Sequence, residues 1–103
     1  MTDLFNLNGR VALVSGAASG LGRAMALALA GAGADLLLAD LNRAGMDQTA
    51  QRITELGHRA VAFPCDVSEP GQIRSMFERL DLEFGRIDFL GNVAGDGLLG
   101  KPE

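Results

Sequence analysis

The sequence predicts an α/β fold in which four parallel strands alternate with three helices. Three observations carry this. Short, continuous apolar runs recur along the chain and stop at glycine or acidic residues, as strands buried on both faces do. Between them lie segments rich in helix formers or with apolar residues at helical spacing. The connections are short, so the order β-α-β-α-β-α-β calls for parallel strands and right-handed crossovers.

Residues 10–15, Arg-Val-Ala-Leu-Val-Ser, end at Gly16 and make the first strand. Residues 23–30 are apolar almost all round before Gly31 and Gly33, so the first helix is expected to be buried and not a surface helix. Asp35-Leu-Leu-Leu-Ala-Asp40 is short and bounded by acids, which makes it the second strand although Leu and Ala are weak strand formers. From Asn42 to Leu56, the residues Met46, Ala50, Ile53 and Leu56 recur at helical spacing, polar residues fill the other face, and Gly57 ends the helix. Ala60-Val-Ala-Phe-Pro64 is the third strand, with a proline that suits a strand end or an edge. Ser68 is the expected cap of the third helix, with Pro70 in its first turn. Ile73, Met76, Phe77, Leu80 and Phe84 form its buried stripe before Gly85. Residues 87–93 make the fourth strand, and 95–103 read as a loop-like tail.

Composition narrows the function. The 103 residues are 48% hydrophobic and 21% charged, a globular composition at the length of one small domain. Thirteen acidic residues against nine basic ones, with no Lys/Arg cluster, argue against nucleic acid as a partner. One Cys and one His supply neither an internal disulfide nor the ligand set of a typical zinc site, so no metal site is expected. There is no Tyr and no Trp, so chemistry that needs a phenol cannot come from these residues. The opening residues lack a basic patch followed by an apolar run, and no uninterrupted apolar stretch has membrane-spanning length. A cytoplasmic protein without a membrane partner is expected.

Ser15-Gly-Ala-Ala-Ser-Gly-Leu-Gly22 joins the first strand to the first helix, where backbone N–H groups and the positive helix end can receive a pyrophosphate. Gly16 permits a tight turn, Gly20 lets the backbone approach phosphate, and Gly22 lets the helix pack closely on the sheet. The spacing is G-x3-G-x-G without a following Gly-Lys-Ser/Thr, so it is neither G-x-G-x-x-G nor a nucleotide triphosphate loop. Asp40 ends the second strand 18 residues after Gly22, where a carboxylate can accept both hydroxyls of an adenosine ribose. Such a carboxylate repels a 2′-phosphate, and the nearest cation after it is Arg43, so NAD is favoured over NADP. Asp66 and Val67 follow the third strand, where an Asp can accept from an adenine amino group and a Val can cover the ring. Asn92-Val-Ala-Gly95 ends the fourth strand with small residues that allow close backbone approach. Ligands of open α/β sheets bind outside the carboxyl ends of the strands, and all four segments fall there.

Leu7-x-Gly9-Arg-Val-Ala-Leu-Val-Ser-Gly-x3-Gly-x-Gly22, with Asp40, Asp66-Val67 and Asp88-x-Leu-x-Asn-x-Ala-Gly95, resembles the short-chain dehydrogenase/reductase family over essentially the whole chain. The resemblance implies a Rossmann-type, doubly wound parallel sheet of order 3-2-1-4, truncated after its fourth strand, with residues 1–103 as the amino-terminal part of a single NAD(P)-binding domain. It implies a dinucleotide held by Gly16, Ser19, Gly20, Leu21 and Gly22 at the phosphates, by Asp40 at the ribose, and by Asp66 and Val67 at the adenine. Asn92, Ala94 and Gly95 would line the middle of the cofactor. The implied activity is that of an oxidoreductase interconverting an alcohol and a carbonyl by hydride transfer. Ser15 replaces the family's Thr and keeps a hydroxyl; Val93 replaces the second Asn of Asn-Asn-Ala-Gly and loses one hydrogen-bonding group.

Family members run to about 250 residues, a complete α/β domain. They carry a catalytic Ser and a Tyr-x3-Lys, whose Tyr exchanges a proton with the substrate oxygen while hydride passes at the nicotinamide. Nothing here matches those positions: Lys101 has no preceding Tyr, and Ser68 and Ser75 lie before the fourth strand. The chain is therefore read as the front, cofactor-binding part of such an enzyme, inactive alone and without a catalytic residue of its own. Its small-molecule substrate would be met only with the remainder supplied.

His58 reads as a surface-loop histidine, Cys65 as a small packed hydrophobe, and the Met and Phe positions at helical spacing as core. In the 3-2-1-4 order the fourth strand is an edge, leaving Phe89, Leu90, Val93 and the far side of the first helix uncovered. That predicts self-association, swapping or partial disorder. Two other readings compete. One is a non-catalytic nucleotide-binding or partner-binding module, or an inactive truncated product. The other is a methyltransferase, against which Asn92-x-Ala-Gly95 and the x3 glycine spacing argue.

Overall fold

Continuous apolar runs become the interior strands, as their burial on both faces requires. A computed structural model describes residues 6–93. In order these form β1 (Val11–Ser15), α1 (Gly20–Gly31), β2 (Asp35–Asp40), α2 (Arg43–Glu55), β3 (Ala60–Pro64), α3 (Pro70–Glu83) and β4 (Phe89–Asn92). The strands form one sheet in the order β3-β2-β1-β4 with every pairing parallel, as the sequence predicts. All of β1 is buried, and in β2 only the terminal acids reach solvent.

Alternate strand residues point to opposite faces. Ala12, Val14, Leu36 and Leu38 pack on one face against Ala26 and Ala30 of α1 and Met46 and Ile53 of α2. Val11, Leu13, Leu37 and Ala39 pack on the other against Cys65 and Met76 and Leu80 of α3. The sheet is thus wound on both sides. Its register sets Ser15 beside Ala39 and Asn92, and Asp40 beside Pro64, so the carboxyl ends of all four strands come level.

Several local expectations are corrected. The first helix is not buried all round: Gly22, Ala26 and Ala30 face inward, while Leu21, Ala24 and Ala28 are exposed. Its small residues are the ones that allow close approach to the sheet and α2. Ser68 does not cap α3, because Asp66 captures it: the Ser68 hydroxyl and amide both donate to Asp66 Oδ1, at 2.6 and 2.9 Å. Glu69 takes the cap position without a side-chain hydrogen bond. Of the predicted stripe on α3 only Met76 and Leu80 are buried, and Phe77 is exposed. Leu56 lies past the end of α2 and is exposed, whereas Gly45 and Thr49 join Met46 and Ile53 on the buried face.

The fourth strand begins later than predicted, at Phe89, because the Asp88 carboxylate itself takes the Val11 amide at 2.8 Å. Among the described residues β4 is an edge, with Phe89 45% and Leu90 55% exposed. No helix among the described residues is long and apolar enough to cross a membrane.

Candidate functional site

The course of the glycine-rich segment follows from two backbone requirements. Gly16 leaves β1 at φ +75° and Gly20 opens α1 at φ +57°, both in the left-handed region that favours glycine. Gly22 answers a spatial need instead, since a β-carbon there would overlap the Gly16 carbonyl. Space above Gly20 is open, as an approaching ligand needs.

Ser19 precedes the helix in an extended conformation and makes no side-chain cap bond. Arg23 N donates to Ser19 O at 3.3 Å. The amides of Gly20, Leu21 and Gly22 come earlier in the first turn and lack intrahelical acceptors. The Ser19 amide also meets no acceptor among the described residues. With no acid in the first turn, these donors and the positive end of the helix dipole leave an edge whose chemistry suits an anion. Leu21 and Ser19 are exposed at its rim.

Asp40, half-buried, is tied to that loop. Its Oδ2 accepts from Ala18 N at 3.0 Å and its Oδ1 from Asn42 N at 2.9 Å. Both donors are neutral, so the charge is positioned but not cancelled, and each oxygen keeps a lone pair. Arg43 turns away to Asp47, with Nε 3.6 Å from Oδ1. Leu41, which the sequence reading passed over, sits exposed beside Asp40 and offers an apolar surface at this edge.

Asp66 lies at the same edge after β3. Its hydrogen bonds from the Ser68 hydroxyl and amide hold its carboxyl below the ordinary range. Val67 lines a pocket of about 180 Å³ with Leu13, Met76 and Leu90, whose polar corner is Ser15 and Asn92. There the buried Ser15 hydroxyl donates to Asn92 Oδ1 at 2.7 Å. Ala94 and Gly95 lie outside the described residues. The structure therefore brings Gly16, Ser19, Gly20, Leu21, Gly22, Asp40, Asp66, Val67 and Asn92 to one sheet edge.

Three further residues at this edge escaped the sequence reading. Arg23, Thr49 and Gly45 join the loop to α2, with Arg23 Nε donating to Thr49 Oγ1 at 2.9 Å. The available signal was spacing, because Thr49 stands between Met46 and Ile53 on the inward helical face. Cys65 is buried, and burial together with the neighbouring Asp66 charge pushes its thiol up, which suits a packed and unreactive side chain. His58 stands at the opposite sheet edge, 3.8 Å from Asp35. Among the described residues no cluster of three or more His, Cys, Asp or Glu could hold a metal.

The family model for short chain dehydrogenases matches residues 10–101. This chain belongs to the short-chain dehydrogenase family. Its members are oxidoreductases that bind a nicotinamide dinucleotide. The chain is similar to D-threitol dehydrogenase of Mycolicibacterium smegmatis, 42% identical over 101 residues, covering 96% of this chain and 38% of that protein. It is similar to cyclohexanol dehydrogenase of a Rhodococcus species, 40% identical over 115 residues, covering 100% of this chain and 42% of that protein. Among solved structures, hydroxysteroid dehydrogenase from Escherichia coli superposes with a TM-score of 0.88 at 30% identity, covering 94% of this chain and 41% of that one. An NAD+-bound xylitol dehydrogenase superposes with a TM-score of 0.79 at 36% identity, covering 82% and 32%. The chain thus spans about two fifths of the length of the curated relatives named here.

Proposed function

We propose that this chain is the cofactor-binding part of an NAD-dependent oxidoreductase that interconverts an alcohol and a carbonyl. One observation carries the reading: an open helix N-terminus and an uncancelled carboxylate meet at one sheet edge, joined through the Ala18 amide 3.0 Å from Asp40. The open space over Gly20 and the amides from Ser19 to Gly22 fit a pyrophosphate. Asp40 accepts the adenosine ribose hydroxyls, Asp66 and Val67 meet the adenine, and Asn92 lines the middle of the cofactor.

Asp40 is bonded to neutral amides and faces no cation among the described residues, so its carboxylate repels a 2′-phosphate, while Arg43 is drawn to Asp47, which supports NAD over NADP. When bound, the dinucleotide supplies or accepts hydride at its nicotinamide. These residues bind and orient it. The proton-transfer group comes from sequence outside these 103 residues, none of which is Tyr. The alcohol dehydrogenases among the relatives and the NAD+-bound xylitol dehydrogenase support this assignment.

Equilibrium titration tests it, with NADH followed by its own fluorescence. Saturable binding of NADH, tighter than that of NADPH and of S-adenosylmethionine, is expected. No binding of NADH, or tighter binding of S-adenosylmethionine, would overturn the reading.

A further inference from the structure

Arg23 stands where a cation is unfavourable for its own helix. It lies in the first turn of α1, at the positive end of the macrodipole, and that turn holds no acid to offset it. Its guanidinium is committed instead to backbone carbonyls. Nη2 donates to Ala18 O at 2.5 Å and to Gly45 O at 3.0 Å, with Gln48 Oε1 at 3.3 Å, and Nε donates to Thr49 Oγ1. Thr49 is fully buried, and its hydroxyl donates to Ala17 O at 2.9 Å with Gly45 O at 3.2 Å alongside. Gly45 makes the approach feasible, since a β-carbon there would stand 2.8 Å from Ala18 O.

The consequence follows from peptide planarity, because the C=O and N–H of a trans peptide point in opposite directions. The Ala17–Ala18 peptide is gripped at both ends, its carbonyl by Thr49 and its amide by Asp40. The Ala18–Ser19 peptide is gripped at its carbonyl by Arg23, which turns the Ser19 N–H away from α2. A planar guanidinium reaches both carbonyls and the hydroxyl together; a lysine ammonium, with its donors at one point, does not.

We propose that Arg23 is a positioning residue for the dinucleotide: by holding the Ala18–Ser19 peptide directly and the Ala17–Ala18 peptide through Thr49, it aims the Ser19 amide at phosphate and keeps the Ala18 amide on Asp40. The anion site and the ribose site then hold a fixed spacing. This rests on the reading that a dinucleotide binds at this edge.

The test compares Arg23→Lys with Arg59→Lys. Arg59 is an arginine at the opposite edge, donating to Glu83 O at 2.7 Å and stacked over Phe84 at 4.6 Å. NADH affinity, melting temperature and amide hydrogen exchange at Ala18 without ligand are measured on each. Arg23→Lys is expected to weaken NADH and to speed Ala18 exchange, each by about tenfold. Arg59→Lys is expected to lower the melting temperature without changing either. Wild-type affinity in Arg23→Lys, or equal weakening in both variants, would overturn the proposal. Should the unsubstituted protein fail to bind NADH, the cofactor reading falls. The exchange data then decide the lock alone: faster Ala18 exchange in Arg23→Lys supports it and unchanged exchange overturns it. If Arg23→Lys does not fold, Thr49→Val carries the same comparison, with smaller changes of the same sign.

Discussion

The two edges of the sheet hold their carboxylates in opposite ways. At the amino edge Asp88 lies 3.4 Å from Arg10 and 2.7 Å from Arg86, Asp35 faces His58, and Glu83 is held by Arg59 and Arg79. At the carboxyl edge Asp40 and Asp66 accept from backbone amides and a hydroxyl, and neither is in an ion pair among the described residues. Of the cations near that edge, Arg43 pairs with Asp47, and Arg23 is bonded to carbonyls and a hydroxyl instead. The amino-edge acids act as fasteners, since Asp88 also takes the Val11 amide at 2.8 Å and Asp35 the Arg59 amide at 2.9 Å. Neutral donors fix a carboxylate in place while leaving its charge and remaining lone pairs to act on something else. A site and a fastener can therefore be told apart by what satisfies them.

The largest effect is expected from Gly22→Ala. Its β-carbon would overlap the Gly16 carbonyl, which is backbone and cannot swing aside, so α1 must lift from the sheet. Destabilisation of about 1–3 kcal/mol in denaturant melts, with loss of NADH binding, is expected. Gly31→Ala is the control, because nothing lies within 4 Å of its β-carbon. There the helix should gain up to ~1 kcal/mol with binding unchanged.

Next comes a paired exchange of charge between the edges. Asp40→Asn should reduce the preference for NADH over NADPH by about tenfold while the melting temperature stays close to that of the unsubstituted protein. Asp88→Asn should do the reverse. Equal loss of preference in both variants would erase the distinction between site and fastener.

A smaller effect lies in acid. Hydrogen bonds from Arg86 and the Val11 amide hold the Asp88 carboxyl down at about 2, against an ordinary 3.8. Because the folded value is the lower one, its stabilisation is complete above the ordinary value and is lost as pH falls from about 4 towards 2. Melting temperatures across that window should drop for the unsubstituted protein and drop less for Asp88→Asn. Asp66 is depressed in the same sense by Ser68, so Ser68→Ala should remove a lesser part of the same acid sensitivity.

The strands were legible because burial on both faces leaves a continuous apolar run, and β2 and β3 lie at the residues the pattern predicts. What was misread lies where a side chain competes with the backbone. Asp66 takes Ser68 from its expected cap, and Asp88 substitutes for a strand carbonyl and delays β4. An all-round apolar pattern in α1 carries no mark of which face meets the sheet; there the small size of Gly22, Ala26 and Ala30 decides. The position of Asp40 was legible from its place after β2. Its bond to Ala18, 22 residues away, was not, because only the parallel pairing of β1 and β2 brings them together.

Amide-resolved NMR titration of the protein with NADH tests the central claim most directly. Saturable shifts concentrated at Ser19 to Gly22, Ala18, Leu41 and Asp66, with Asp35, Arg59 and Asp88 silent, are the predicted result. Shifts concentrated at the amino edge, or none at saturating NADH, would contradict it.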